Sequence, residues 1–228
     1  MMTRRWGAPF ALAYVFLAGV VHAQASGAEP VPDPDPARFS EAIDLFAAWD
    51  SKNSVPRNAT LFVGSSSIRL WPTAKAFPGV SVINRGFGGS ELSDVIHYYD
   101  SLIRPYAPAR IVLYAGDNDI ASGKSADRVF ADYVQLVTLV RRDFPAAELV
   151  FISIKPSKDR WSLWPIMVET NRMVAHYAEQ HAGLRYADLA TPLLGENGEP
   201  GDFYIADGLH LNAAGYALWQ RGLESFLE

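Results

Sequence analysis

Five short apolar runs alternating with helical patterns predict an α/β fold built on a parallel sheet with helices on both faces. Three observations carry this. The apolar runs are mostly continuous, as strands buried on both faces are. The stretches between them place apolar residues at helical spacing. The composition, 49% hydrophobic and 20% charged in 228 residues, is that of an ordinary globular chain long enough for one domain and a leader.

In chain order the expected strands are Thr60 to Val63, Val80 to Asn84, Arg110 to Tyr114, Glu148 to Ile154 and Leu184 to Asp188. The expected helices are Phe39 to Ser51, Leu92 to Ile103, Ala126 to Phe144, Met167 to Gln180 and Ala213 to Leu227. The third is the clearest, with Val129, Tyr133, Leu136, Val137 and Val140 on one face. In parallel sheets a ligand sits outside the C-terminal ends of the strands, so the residues just after each strand are the ones to read for chemistry.

The N-terminus carries Arg4 and Arg5, then a mostly apolar run from Ala8 to Val21, then Ala23-Gln24-Ala25. This is the pattern of a secretory signal peptide over residues 1–25, cut after Ala23 or Ala25. The run is shorter than the roughly 20 residues a spanning helix needs, so no membrane anchor is expected after cleavage, and the mature protein is expected to be secreted or periplasmic. Residues 26–37 contain Pro30, Pro32, Pro34 and Pro36. Alternating prolines lack N–H donors and favour extended chain, which reads as a linker, with the folded domain over residues 38–228.

Twenty Lys and Arg against 25 Asp and Glu give a net charge of −5, and there is no run of like charges. Nucleic acid is therefore not an expected partner. The chain has no cysteine, which excludes disulfides, thiolate metal sites and a thiol nucleophile. Two of its five histidines, His176 and His181, are five apart on one helix and make poor co-ligands; no metal and no cofactor are expected.

Four strand-exit segments can carry chemistry. Gly64-Ser65-Ser66-Ser67 follows the first strand, where a serine on a sharp turn is exposed at the sheet edge with its own N–H facing the same way. A serine there is equally suited to capping a helix. Asn84-Arg85-Gly86-Phe87-Gly88-Gly89-Ser90 and Ala115-Gly116-Asp117-Asn118-Asp119 follow the second and third strands. A glycine N–H and an asparagine amide can both aim at one developing oxyanion, and the same residues are ordinary turn formers. Asp207-Gly208-Leu209-His210 precedes the last helix; in a helical turn that spacing lets the carboxylate hold the imidazole, and Asp207 or Asn212 is alternatively a helix cap.

Together and in this order, over about residues 58–215, these segments resemble the SGNH/GDSL hydrolases, a family of serine esterases, lipases and acylhydrolases. The third and fourth family blocks stand here as Gly116-Asp117-Asn118-Asp119 and Asp207-Gly208-Leu209-His210. The first departs, with Gly64-Ser65-Ser66 in place of Gly-Asp-Ser. The resemblance implies a three-layer, flavodoxin-like fold with five parallel strands in the order 2-1-3-4-5. It also implies a catalytic set of Ser66, Asp207 and His210, and an oxyanion hole from Ser66, Gly89 and Asn118. Ser65 and Ser67 are the alternatives to the nucleophile, and Gly88 the alternative to Gly89.

The expected activity is hydrolysis of carboxylic esters through an acyl-serine, on short, acetyl-type acyl groups because no insertion is long enough for a lid. The substrate would be a small-molecule or carbohydrate ester; deacetylation of a polysaccharide is the alternative, and a non-catalytic carbohydrate-binding relative a further one. Trp161, Trp164 and Arg69 are candidate substrate contacts. The tryptophans are equally suited to the core, and Arg69 and Arg85 to local ion pairs.

Overall fold

The computed structural model describes residues 31–228. The expected signal peptide, residues 1–25, and the first part of the expected linker lie outside the described residues. Five parallel strands, β1 (Thr60–Gly64), β2 (Val82–Gly86), β3 (Arg110–Tyr114), β4 (Glu148–Ile152) and β5 (Leu184–Ala187), form one sheet in the order β2-β1-β3-β4-β5. The helices are α1 (Ser40–Asp50), α2 (Ser66–Arg69), α3 (Thr73–Ala76), α4 (Leu92–His97), α5 (Tyr99–Leu102), α6 (Asp117–Ala121), α7 (Ala126–Asp143), α8 (Trp164–Glu179) and α9 (Ala213–Leu223).

The central strands explain why the apolar runs are continuous. Successive side chains leave a strand on opposite faces, and here both faces are covered. Leu61, Val63, Ile111, Leu113, Leu149 and Phe151 join one core with α4, α5, α7 and α8. Phe62, Val112, Tyr114, Val150 and Ile152 join the other, with Ile68 of α2 and Trp219 and Leu223 of α9. On α7 the five residues read from the sequence are all buried, and Ser125 caps the helix by accepting the Arg128 N–H.

Several boundaries differ from expectation. Strand β2 runs Val82–Gly86 rather than from Val80, because at the sheet edge it is only partly buried and takes Asn84 and Arg85 as readily as apolar residues. Strand β4 stops at Ile152; both backbone groups of Ile154 bond instead to the Asn171 side chain, at 2.7 and 2.9 Å. The single helix expected from Leu92 breaks into α4 and α5 at Tyr98, where φ −90° and ψ 12° are not helical. Helix α8 starts three residues early at Trp164, with Pro165 in the first turn, where its missing N–H costs nothing.

The described part of the expected linker is not a free spacer. Prolines prevent it from pairing as a strand, but its carbonyls and carboxylates remain available. Tyr98 donates to the Pro36 carbonyl at 2.8 Å, and Asp33 pairs with Lys124 at 2.7 Å and Arg128 at 2.7 Å. Lys124 is fully buried and also meets Glu91 at 2.9 Å, Asp132 at 3.3 Å and Asp119 at 3.4 Å. Burial works to lower its pKa, but the hydrogen bond it donates to Asp33 and the charges of Asp119 and Glu91 hold it above the ordinary lysine value. Asp33 therefore completes a buried cluster from outside.

Asp33→Asn is expected to lower the Tm by about 2–4 °C, the shift that ~1 kcal/mol gives in a domain of this size; the modest figure allows for solvent around Asp33. Thermal denaturation followed by circular dichroism measures it, and an unchanged Tm would return the segment to the role of spacer.

Candidate active site

The first strand ends on Gly64 at φ +130°, where a Cβ would lie 1.9 Å from the Tyr114 carbonyl oxygen. Only glycine lets the chain turn there against the neighbouring strand. The Ser65 N–H then donates to that same Tyr114 oxygen at 2.9 Å, and α2 starts at once with Ser66. Ser65 and Ser67 are buried, at 0% and 1% exposure, with hydroxyls that meet no partner. Ser66 alone of the three faces the cleft. As the first residue of a helix it leaves its N–H without an intrahelical acceptor.

Asp207 and His210 stand in a turn rather than the helical turn the spacing suggested. The turn is closed by Ile205 donating to the His210 carbonyl at 2.9 Å and by pairing of Tyr204 with Leu211. Asn212, not Asp207, caps α9, accepting the Ala214 and Gly215 N–H groups. Asp207 is thus free for the imidazole: its Oδ2 lies 2.6 Å from His210 Nδ1, while its Oδ1 accepts the N–H groups of Leu209 at 2.8 Å and His210 at 2.9 Å. The hydrogen bond to His210 and those two N–H groups bring the Asp207 pKa down to about 2. With the Nδ1 proton held by a carboxylate, His210 Nε2 is an acceptor, and it lies 2.9 Å from Ser66 Oγ.

Two further donors border the same cleft. Gly89 has φ +85°, in the left-handed region, and its N–H meets no acceptor among the described residues. Asn118, early in α6, donates one amide hydrogen to the Ser90 carbonyl at 3.0 Å, leaving the second free. Its Oδ1 accepts from Arg160 Nη1 at 3.0 Å, and the same nitrogen donates to the Asp117 carbonyl at 2.9 Å. Arg160 and Ser90 therefore fix which end of the amide is which. Behind them Asp117 is buried, with Tyr114 donating to it at 3.1 Å and Lys155 3.4 Å away. Burial acts to raise the Asp117 pKa, yet the charges of Lys155 and Arg160 hold it below the ordinary carboxylate value.

Sequence reasoning did not single out Arg160, Lys155 or Ser90. Arg160 and Lys155 follow β4 at the active-site edge, so position was a signal; their targets depend on how two strand exits meet. Asp119, within the third motif, is structural: both its oxygens accept the Leu92 N–H, at 3.0 and 3.2 Å, and burial pushes its pKa up to about 7.

Ser66, Gly88, Gly89, Asn118, Arg160, Leu209 and His210 line one cavity of about 670 Å³. Arg69 lines it too and forms no ion pair among the described residues, whereas Arg85 pairs with Asp50 as a local ion pair should. Trp161 and Trp164 do not line it. Their rings stack on each other at 6.0 Å at the start of α8, where Trp164 packs against the core. The aromatic and aliphatic wall comes instead from Phe39, Leu45, Phe46 and Trp49, with Phe87 beside it. No group of three or more metal-ligating side chains is assembled among the described residues.

A sequence model of the GDSL-like lipase/acylhydrolase family matches residues 68–218, well over half of the chain. The chain belongs to that family. It is therefore a hydrolase acting on ester bonds. The matched residues include Gly89, Asn118, Asp207 and His210 but begin two positions after Ser66, so it is the 2.9 Å contact with His210 that singles out this serine.

Solved structures share the fold at low identity. A platelet activating factor from Streptococcus pneumonia is similar at a TM-score of 0.75 and 23% identity, over 84% of this chain and 94% of that one. A GDSL-like lipase from Bacteroides thetaiotaomicron has a TM-score of 0.69 and 19% identity, over 81% and 96%. An acetylxylan esterase from Geobacillus stearothermophilus, solved as a catalytic mutant, has 0.61 and 15%, over 77% and 96%. None of the curated proteins compared matches the chain.

Arg160→Met is expected to slow ester turnover about tenfold or more at nearly constant KM, because the Asn118 amide loses its anchor. In an Asn118→Ala background the same change is expected to cost little, and additive effects in that double-mutant cycle would show that Arg160 does not act through Asn118.

Proposed function

We propose that this protein is an exported serine esterase that cleaves carboxylic esters through an acyl-serine. The observation that carries the reading is the continuous line from Asp207 through His210 to Ser66, with contacts of 2.6 and 2.9 Å. In this mechanism His210 Nε2 takes the Ser66 hydroxyl proton as Oγ attacks the ester carbonyl, and Asp207 stabilises the imidazolium. The carbonyl π electrons move onto oxygen, which the Ser66 N–H, the Gly89 N–H and the free Asn118 amide hydrogen receive. Collapse breaks the bond to the alcohol oxygen, which leaves with the proton from His210. Water, deprotonated in turn by His210, releases the carboxylic acid and restores the serine.

Arg69, unpaired at the cleft, is in this reading a polar contact for the substrate. Export rests on the leader pattern of residues 1–25. The polysaccharide-deacetylase alternative relied on sugar stacking at Trp161 and Trp164, which lie away from the cavity wall, and so loses its main support. The expectation of acetyl-type substrates relied on the lack of a lid insertion, but α1 walls the cavity without one.

A fluorophosphonate is expected to add once to the mature protein, at Ser66, as read by intact mass and peptide mapping. The adduct should be absent from Ser66→Ala and strongly reduced in His210→Ala. Labelling at Ser65 or Ser67 would move the nucleophile, and an active Ser66→Ala protein would overturn the mechanism. Asn118→Ala is expected to lower kcat by about 10²–10³, or roughly 2.7–4 kcal/mol of transition-state stabilisation, with the fold intact.

A further inference from the structure

Helix α1 turns its apolar stripe partly to the core, where Ala42 and Phe46 pack, and partly to the catalytic cleft. Ala42, Leu45, Phe46 and Trp49 recur at the i, i+3, i+4, i+7 spacing of one helical face, and all four line the cavity that holds Ser66 and His210. Only Ile43 of this helix is fully buried, while Leu45 is 54% and Trp49 63% exposed. A helix normally turns such a face inward. Here the apolar surface remains open and is continuous with the reactive serine.

The stripe is also fixed in place. Asp50, at the end of α1, pairs with Arg85 of β2 and accepts from the Tyr106 hydroxyl at 2.5 Å. At the other end Phe39 packs edge-on against Phe87 at 5.1 Å, and Arg38 pairs with Asp94 at 2.5 Å. The wall is thus held at both ends by the β2 side of the molecule.

Its side of the cleft decides which part of an ester it meets. The turn carrying His210 is held from the β4 side, with the Asp159 N–H donating to the Gly208 carbonyl at 3.2 Å and the Tyr204 hydroxyl to the Pro156 carbonyl at 2.7 Å. In the sheet β2 and β4 flank β1 and β3, and Ser66 stands at the exit of β1. The alcohol oxygen must leave beside His210 Nε2, which protonates it, and so on the β4 side. The acyl chain then departs from the carbonyl carbon toward β2 and α1.

We propose that the exposed face of α1 is the acyl subsite, built for an unbranched chain of about six to eight carbons, matched to the roughly 10 Å from Ala42 to Trp49 at 1.5 Å per residue. This rests on the serine-esterase reading above and adds the acyl class to it. The apolar atoms of the chain replace water over Leu45 and Trp49, and one-sided contact of this kind raises kcat/KM by about twofold to fourfold per methylene.

The test uses the mature protein and two ester series: one alcohol with acyl chains from acetate to octanoate, and acetates of alcohols of increasing length, all below their micellar concentrations. The expected result is a kcat/KM that climbs with acyl length and responds little to alcohol length. In the Leu45→Ser/Trp49→Ser variant, whose changes sit at exposed positions and should leave the Tm in place, the octanoate-to-acetate ratio is expected to fall at least tenfold. A ratio unchanged by the variant, a wild-type profile that peaks at acetate, or a climb with the alcohol series instead would each overturn the acyl subsite. Sedimentation of the same proteins decides whether a second copy covers the face: a dimer that the variant dissociates would overturn the proposal as well. Failure of the esterase reading is distinct from all of these, since it would show as no turnover of any ester and no fluorophosphonate adduct on Ser66.

Discussion

The turn at the end of β1 is the constraint on which the site depends. Strand β1 is paired on both sides, with β2 and β3, so the chain leaving it has almost no room. Gly64 resolves the crowding by adopting φ +130° against the Tyr114 carbonyl, and Ser65 immediately bonds that carbonyl. The reversal leaves Ser66 as the first residue of α2, its hydroxyl and its N–H at the cleft. A parallel sheet places the other strand exits on the same edge, so the loops after β2 and β3 arrive beside it without further design.

Two buried lysines show how differently the fold uses charge. Lys124 sits among four carboxylates, Asp33, Glu91, Asp119 and Asp132, and Arg128 pairs with the first and last of them at the periphery. That cluster ties the N-terminal segment, α4, α6 and α7 to one another. Lys155 and Arg160 both face Asp117 behind Asn118, and Arg160 also reaches Asp159 at 3.9 Å.

The core strands and the Asp207–His210 pair were legible because each is signalled locally. Runs such as Ile111-Val112-Leu113 are apolar at every position only when both faces are covered, and the structure covers both. Asp207 and His210 are three residues apart and meet across one turn. Where the reading failed, the missing information was non-local. Val80 is as apolar as Val82, but edge position placed the strand later. The prolines of residues 32–36 forbid strand pairing without saying that Asp33 reaches a buried lysine. Trp161 and Trp164 follow a strand at the active-site edge, yet they stack on each other and leave the cleft to α1.

By itself the sequence determined the alternation of strands and helices, the glycine where β1 must turn, and the residues able to perform acyl transfer, because periodicity, backbone freedom and side-chain chemistry are properties of short stretches. The tertiary structure alone decided which of three adjacent serines faces His210, which cation holds the Asn118 amide, and which apolar surface walls the cavity. Those outcomes depend on which segments, up to 144 positions apart for Ser66 and His210, are brought within a hydrogen bond of each other, and no local pattern encodes that distance.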